Sequence, residues 1–493
     1  MQCLTPLLLI VFSILSITTA WRTFLRGRSK GGNLGNPILS SDTPFPTDQW
    51  FLQYLDHFDP TNVNDWQQRF FVNVDFYKPN GPIFLMIGAE GTANASWMVE
   101  GEWIEYAKEF GAMCFYLEHR YYGKSHPTID LSVKNLMYLS SEQALADLAY
   151  FIASVNVDLP RNTKWIVFGG SYGGSLAAWM RAKYPHLVHG AVSTSGPLLA
   201  QIDFSEYYQV VTNALKEYSD QCVRVIQEAN SQLNIMLHHT VGQQQIQKKF
   251  RLCDPIDPGY TKLVDISNLY EALASNFASV VQYNKDNRQS SSFVNITIET
   301  VCDILVDEKI EKAIDRLAYV NSMILNATKE KCLDYRYDTM IHELRNITWT
   351  SEQAEGGRQW IYQTCSEFGF FQTSTGQIDV FGNKFPVEFF AQQCVDIFGP
   401  KYNMDLLKSA VTRTNILYGA LNLQVTNVVF VHGSVDPWHV LGIVQSSNPQ
   451  APAIYINGTA HCANMYPPSE RDMPQLKEAR KVIRGLIKQW LQN

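Results

Sequence analysis

The stretch Trp165-Ile-Val-Phe-Gly-Gly-Ser171-Tyr-Gly-Gly-Ser175 decides the fold. A β-branched and aromatic run ends in Gly169-x-Ser171-x-Gly173, and Leu176-Ala-Ala-Trp-Met-Arg-Ala-Lys183 follows with helical character. A strand that turns sharply into a helix lifts one serine hydroxyl above the edge of a sheet, which is the nucleophile-elbow arrangement. Glycines flank the serine because so tight a turn has no room for side chains beside it. The pattern implies a serine hydrolase on an α/β-hydrolase core.

Outward from the elbow, strands alternate with helices. Gln68–Val74, Pro82–Gly88, Met113–Glu118 and His189–Ser195 read as strands, as do Thr426–His432 and Ala453–Asn457. Met98–Phe110 has helical spacing, and Ser141–Val155 is amphipathic with Ser140 or Ser141 as its cap. A final helix is expected from about Ser469 to Trp490. Such alternation predicts a parallel sheet covered on both faces. From Tyr207 to Tyr402 the periodicity is helical instead, and six cysteines fall there. The organisation expected is a signal peptide (1–20), an extended N-terminal arm (21–48) rich in Arg, Lys, Gly, Ser and Pro, with a trimmed propeptide as one reading of it, a first α/β-hydrolase core segment (49–200), a helical cap insertion (201–405) and a second core segment (406–493).

A serine hydroxyl needs a base to take its proton, and the base needs an acid to orient it. In this fold the chain order is Ser, then acid, then His, each on a loop after a strand. Asp436 in Gly433-Ser-Val-Asp-Pro-Trp438 and His461 in Asn457-Gly-Thr-Ala-His461 satisfy that order. Ser171 and Asp436 lie 265 positions apart, far more than an uninterrupted core requires, which points to the inserted cap. His432 precedes the acid and His439 follows it by three positions, so both read as structural or lining residues. The amides of Tyr172 and of Gly88, in the loop Gly88-Ala-Glu-Gly91, are the expected oxyanion-hole donors. Glu90 on that loop either forms a local salt bridge or positions substrate.

The 493 residues are 46% hydrophobic and 18% charged with a net charge of −7, so no basic stripe marks a nucleic-acid partner. Leu7–Ile17 is an apolar run too short to span a bilayer, and Thr18-Thr-Ala20 offers a cleavage site, as in a signal peptide. No other segment is long and apolar enough to span. Sequons at Asn94, Asn295, Asn326, Asn346 and Asn457 agree with export. Of nine cysteines Cys3 leaves with the signal, and the remaining eight show no Cys-x-x-Cys spacing. Neither a metal nor a cofactor is expected. Oligomeric state is left open, a homodimer included.

Further motifs extend over nearly the whole mature chain: Gln53-Tyr-Leu-Asp-His-Phe58, Trp66-Gln-Gln-Arg-Phe-Phe-Val-Asn73, Glu118-His-Arg-Tyr-Tyr-Gly123, Gln363-Thr-Cys-Ser-Glu-Phe-Gly369 and Gly458-Thr-Ala-His-Cys-Ala-Asn-Met-Tyr466. Together with the elbow and Asp436-Pro-Trp438 they resemble the family of lysosomal Pro-X carboxypeptidase, dipeptidyl peptidase II and thymus-specific serine protease. The ending His461-Cys-Ala-Asn-Met-Tyr466 is most similar to the thymus-specific and invertebrate branch. The resemblance implies a disulfide-linked cap over the site, the roles of nucleophile, acid and base for Ser171, Asp436 and His461, and the pairs Cys222–Cys302, Cys253–Cys332 and Cys365–Cys394. It also implies peptide substrates trimmed from a chain end, often after proline, in a secreted or lysosomal setting. Glu90 and Glu367 are candidate anchors for a terminal amine, Arg120 and Arg358 for a terminal carboxylate, and the residues do not choose between them. Trp438 and Tyr362 either line the specificity pocket or pack the core. An esterase or lipase, and a silent binding protein on the same scaffold, are the competing readings.

Overall fold

The computed structural model describes residues 24–39, 44–286, 288, 296–376 and 380–492. The expected signal peptide and the Asn295 sequon lie outside the described residues.

Eight strands form one sheet: β1 (Gln49–Tyr54), β2 (Asp65–Asn73), β3 (Ile83–Ile87), β4 (Met113–Leu117), β5 (Trp165–Gly170), β6 (Gly190–Thr194), β7 (Val428–Gly433) and β8 (Ala453–Ile456). Their spatial order is β1-β2-β4-β3-β5-β6-β7-β8. From β4 to β8 every pairing is parallel, and β1 and β2 close one edge antiparallel. This is the α/β-hydrolase sheet. Period-2 alternation sends Trp165 and Val167 into one core and Ile166 and Phe168 into the other. All four are essentially unexposed, as a sheet covered on both faces requires.

Helices α1 (Glu102–Phe110) and α4 (Pro474–Gln492) contribute to the same core as Phe168, whereas α2 (Ser141–Val155) and α3 (Tyr172–Lys183) contribute to the core of Trp165. Ser140 caps α2, its hydroxyl accepting the Gln143 amide. The last helix starts at Pro474 rather than at Ser469, because Ser469 donates its amide to Asp472 in a preceding turn and proline suits a first helical position. β1 was not anticipated from the sequence. It is an edge strand whose side chains are mostly exposed, its apolar Trp50 and Leu52 among them, so it lacks the alternation of a half-buried strand.

Between β6 and β7 the chain is helical from Glu206–Tyr218 to Met404–Tyr418, apart from a short parallel ribbon joining Gln201–Asp203 to Gly369–Phe371. The three disulfides have the pairing that the resemblance implied, and all lie in this region. Cys114 and Cys462 are free and buried. No helix among the described residues is long and apolar enough to cross a membrane.

The N-terminal arm is folded rather than extended where it is described. Phe24–Leu25 and Arg28–Ser29 form a tight hairpin, and Arg26, Arg28 and Asn33 are buried.

Candidate active site

β3, β5, β7 and β8 end at the same edge of the sheet, and their following loops meet there. In open parallel sheets this carboxyl edge is where sites form. Ser171 stands between β5 and α3 with φ 58° and ψ −132°, a backbone conformation that L-residues rarely adopt. Two backbone bonds hold the turn: the Ser171 amide donates to Thr194 O at 3.0 Å, and Ser171 O accepts from Gly174 N at 2.8 Å. A Cβ on Gly169 would sit 2.0 Å from Gly173 O, which is why that position must be glycine.

Asp436 follows β7 and is fully buried. Its Oδ1 accepts the Trp438 amide at 3.0 Å and faces His461 Nδ1 at 2.9 Å. His461 is also fully buried, and its loop is pinned by the Cys462 amide to Ser195 Oγ (3.0 Å) and by Asn464 Nδ2 to Thr194 Oγ1 (3.0 Å). Burial works against a charged imidazole, but the adjoining Asp436 carboxylate outweighs it and raises His461 well above the ordinary range. Burial likewise pushes the Asp436 carboxyl up, and the His461 charge and hydrogen bond bring it below its usual value. The other ring nitrogen, His461 Nε2, has no hydrogen-bond partner. Ser171 Oγ is engaged elsewhere, accepting from Asn33 Nδ2 at 3.2 Å.

The loop after β3 corrects one expectation. Gly88 N–H is committed to Leu117 O at 2.9 Å, continuing the β3–β4 ladder by one rung, so it is not a donor toward the site. Tyr172 is the first residue of α3, where an amide has no intrahelical acceptor. Its phenol is held by His119 Nε2 (3.2 Å) and Gln363 Nε2 (3.2 Å). Burial lowers His119 to about 4, so it is neutral there.

The chain matches the serine carboxypeptidase S28 description over residues 53–483. The chain belongs to the serine carboxypeptidase S28 family. A Caenorhabditis elegans protein named as a serine protease is 36% identical over 95% of this chain and 94% of its own. The thymus-specific serine protease of Mus musculus is 32% identical over 91% and 88%, and the lysosomal Pro-X carboxypeptidase of Homo sapiens 28% over 99% and 97%. The protein is therefore a serine peptidase, and its substrates are peptides. Its three disulfides fit the secretory pathway.

In this S28 peptidase the other expected site residues separate into two groups. Glu90 lies in the cleft: Oε1 accepts the Asn33 amide at 3.2 Å, Oε2 is buried without a partner, and burial raises its carboxyl. Trp438 is also there, with its indole N–H on Gln282 Oε1 (2.9 Å) and its ring packed by Phe204 and Phe370. Tyr362 packs instead with Phe398 and Tyr402. Glu367 accepts from Ser141 N and Oγ and meets Gln363, behind Tyr172 rather than beside the serine. Arg120 is a structural pair with Asp147, and Arg358 donates to Leu131 O and Leu344 O, so neither is free to take a substrate carboxylate. His432 is buried with its pKa lowered by burial to about 4, and His439 bonds to Asp436 O and Tyr455. Sequence reading missed Asn33, Gln282, Tyr283 and Glu355, because they lie on the arm and the cap, far from any catalytic signature. Of the four described sequons, Asn326, Asn346 and Asn457 are exposed, while Asn94 is half-buried and caps a short turn.

Proposed function

We propose that the chain is a secretory-pathway serine exopeptidase that works through an acyl-enzyme on Ser171. Ser171 Oγ attacks the scissile carbonyl carbon and its proton passes to His461 Nε2. Asp436 holds the imidazole with Nδ1 protonated and stabilises the imidazolium that forms. The oxyanion is received by the amides of Tyr172 and, with Gly88 committed to the sheet, of Ala89, which abuts the first turn of α3 at Gly173. Collapse expels the amine, which leaves with the proton from His461. Water then repeats the sequence on the ester and frees Ser171. The observation that carries this reading is the buried Asp436–His461 contact of 2.9 Å with Nε2 left without a partner.

The cap supports trimming of chain ends. His461 donates its amide to Gln282 O at the end of the cap helix Leu263–Gln282, so the roof sits directly on the base. Only a thin peptide terminus fits beneath such a roof. The carboxylates of Glu90 and Glu355 line the cleft, Glu355 bound by Arg28 of the N-terminal arm, whereas Arg288 there is paired with Asp286 of the cap, which favours capture of an amino terminus once the arm is absent. The Trp438 and Phe370 rings offer an apolar wall suited to a proline ring. A peptide panel read by mass spectrometry tests this, with members blocked at either end and with proline or alanine before the cleaved bond. Loss of cleavage on acetylating the amino terminus is expected. Loss only on amidating the carboxyl terminus reverses the polarity, and cleavage in mid-chain with both ends blocked overturns the exopeptidase reading. Lysosomal and extracellular destinations are separated by localising the tagged protein.

A further inference from the structure

The cleft above Ser171 is occupied by the chain itself. Residues Arg26-Gly-Arg-Ser-Lys-Gly-Gly-Asn33 run between core and cap, bonded to both. Toward the core, Arg28 Nε donates to Glu90 O (2.6 Å), Asn33 N to Glu90 Oε1 (3.2 Å) and Gly35 N to Tyr466 Oη (3.0 Å). Toward the cap, Arg28 forms a two-pronged pair with Glu355 (2.8 and 2.9 Å), and Trp360 Nε1 and Gln282 Nε2 donate to the carbonyls of Arg26 and Gly27 (3.0 and 3.1 Å). Arg26 enters a cap pocket lined by Gln393 Oε1, Phe390 O and the Phe371 ring.

The fit depends on residues without bulk. Gly27 lies so close to Trp438 that a Cβ there would be 2.4 Å from Cζ2. A Cβ on Gly32 would be 2.9 Å from Gly91 Cα, so backbone lies on backbone at the loop after β3. Asn33 is the contact with the nucleophile. Its Oδ1 accepts from Ser29 N (3.1 Å) and Tyr283 Oη (2.7 Å), which orients Nδ2 onto Ser171 Oγ. The hydroxyl thus meets an amide nitrogen rather than a carbonyl carbon, so it has nothing to attack, and it makes no bond to His461 Nε2.

We propose that residues 24–36 are an intramolecular inhibitor seated in the substrate cleft, and that peptides reach Ser171 only after this segment is cut off or drawn out. The proposal rests on the reading of Ser171 as nucleophile. It also assigns the cleft a recognition chemistry: a cationic group at Glu355 and a small residue against Gly91, which an incoming peptide inherits.

The test uses the full chain with a site-specific endopeptidase sequence inserted between Phe45 and Pro46, where Phe45 is exposed. Fluorophosphonate labelling and peptide hydrolysis are followed before cutting and after cutting and gel filtration. Labelling is expected to rise by about tenfold or more on release, and the uncut Arg28→Ala chain is expected to label about tenfold faster than the uncut parent through loss of its charge-assisted bonds. A synthetic peptide of residues 24–36 should restore inhibition, and its Asn33→Ala form should do so more weakly. Equal labelling and turnover in uncut, cut and Arg28→Ala chains overturns the proposal while leaving Ser171 as nucleophile. Absence of labelling in all three folded chains overturns the Ser171 reading and the inhibition with it.

Discussion

Replacing Asp436 by Asn isolates what its charge does. Oδ1 alone receives both the Trp438 amide and His461 Nδ1, at 3.0 and 2.9 Å, while Oδ2 is buried without a partner. The side chain of Asp436→Asn therefore keeps both bonds if its oxygen stays at the Oδ1 position. The flipped orientation would set its NH2 against the Trp438 N–H, donor to donor. The productive tautomer of His461 survives, and the charge is what is lost. A carboxylate and an imidazolium with centres about 4 Å apart at an effective dielectric near 20 attract by about 4 kcal/mol. That attraction exists only once His461 has taken the proton, so it is removed from the transition state and kcat/KM should fall about a thousandfold. With the carboxylate gone, burial loses the strongest influence that opposes it at His461, so the acidic limb of the pH–rate profile should move to lower pH. The assay is kcat/KM against pH on the enzyme freed of residues 24–36, with near-ultraviolet circular dichroism to confirm packing. A variant within about tenfold of wild type, with its acidic limb unmoved, would refute the reasoning.

Three further outcomes follow from the same geometry. Ser171→Gly relieves the strained φ of 58° and should stabilise the fold by about 1 kcal/mol while abolishing fluorophosphonate labelling; a lowered Tm would contradict the strain. Tyr172→Phe leaves the backbone donor in place but strands His119 Nε2 and leaves Gln363 Nε2 only its 3.4 Å bond to Glu367, so stability should drop by about 1–3 kcal/mol in denaturant titration with kcat nearly unchanged. Burial raises the carboxyls of Glu102 and Glu367 to about 7 from the usual 4.5, so at these two groups the folded chain binds more protons than the unfolded chain between those values and their contribution to stability falls as pH rises through that window. The raised His461 acts in the same direction, its contribution being complete below its ordinary pKa and lost as pH rises through the folded one. Buried His119 and His432, lowered to about 4, act in the opposite direction, so the test is the variant: Glu367→Gln should lower Tm at pH 5 relative to pH 7.5 when compared with the parent, and an unchanged difference would exclude Glu367 as a source.

The sheet was legible because its signals are local. The run Trp165–Gly170 is buried on both faces and so reads as continuous apolar sequence, and the elbow glycines are dictated by contacts within a few residues. The positions of Asp436 and His461 were legible because fold and chain order constrain them together. Gly88 misled because a glycine beside a strand end suggests an open amide, whereas the hydrogen-bond ladder runs one residue further than the apolar run that marks the strand. Tyr362 and Glu367 lie on the cap segment that reaches the back of Tyr172, and nothing in the sequence distinguishes the back of the nucleophile from its front. The arm was the least legible region. Its glycines and cations look like a solvated tail, and only the carboxylates, carbonyls and rings that close around it make those residues specific.

That composition also bears on how the arm is released. Residues 26–33, the part over Ser171, contain no large apolar side chain, so their seating depends on hydrogen bonds, on the Arg28–Glu355 pair and on shape, while Phe24, Leu25 and Leu34 anchor the segment to the apolar cores on either side. Net contributions of such bonds are modest because water offers equivalent ones once the segment leaves. Arg26 is buried with no carboxylate among its hydrogen-bond partners, its Nε is unsatisfied, and burial lowers its pKa to about 9, all of which oppose its seating. While the arm is tethered to β1, the entropy of holding it is shared with the folded domain, and the local concentration of the plug is high. Once the tether is cut, the freed segment must be ordered at the full cost of its backbone, a large penalty for a glycine-rich stretch. A plug of this kind is held more firmly while attached than when severed: the hydrogen-bonded seal over Ser171 lets go readily, and the apolar contacts of Phe24, Leu25 and Leu34 set the remaining hold.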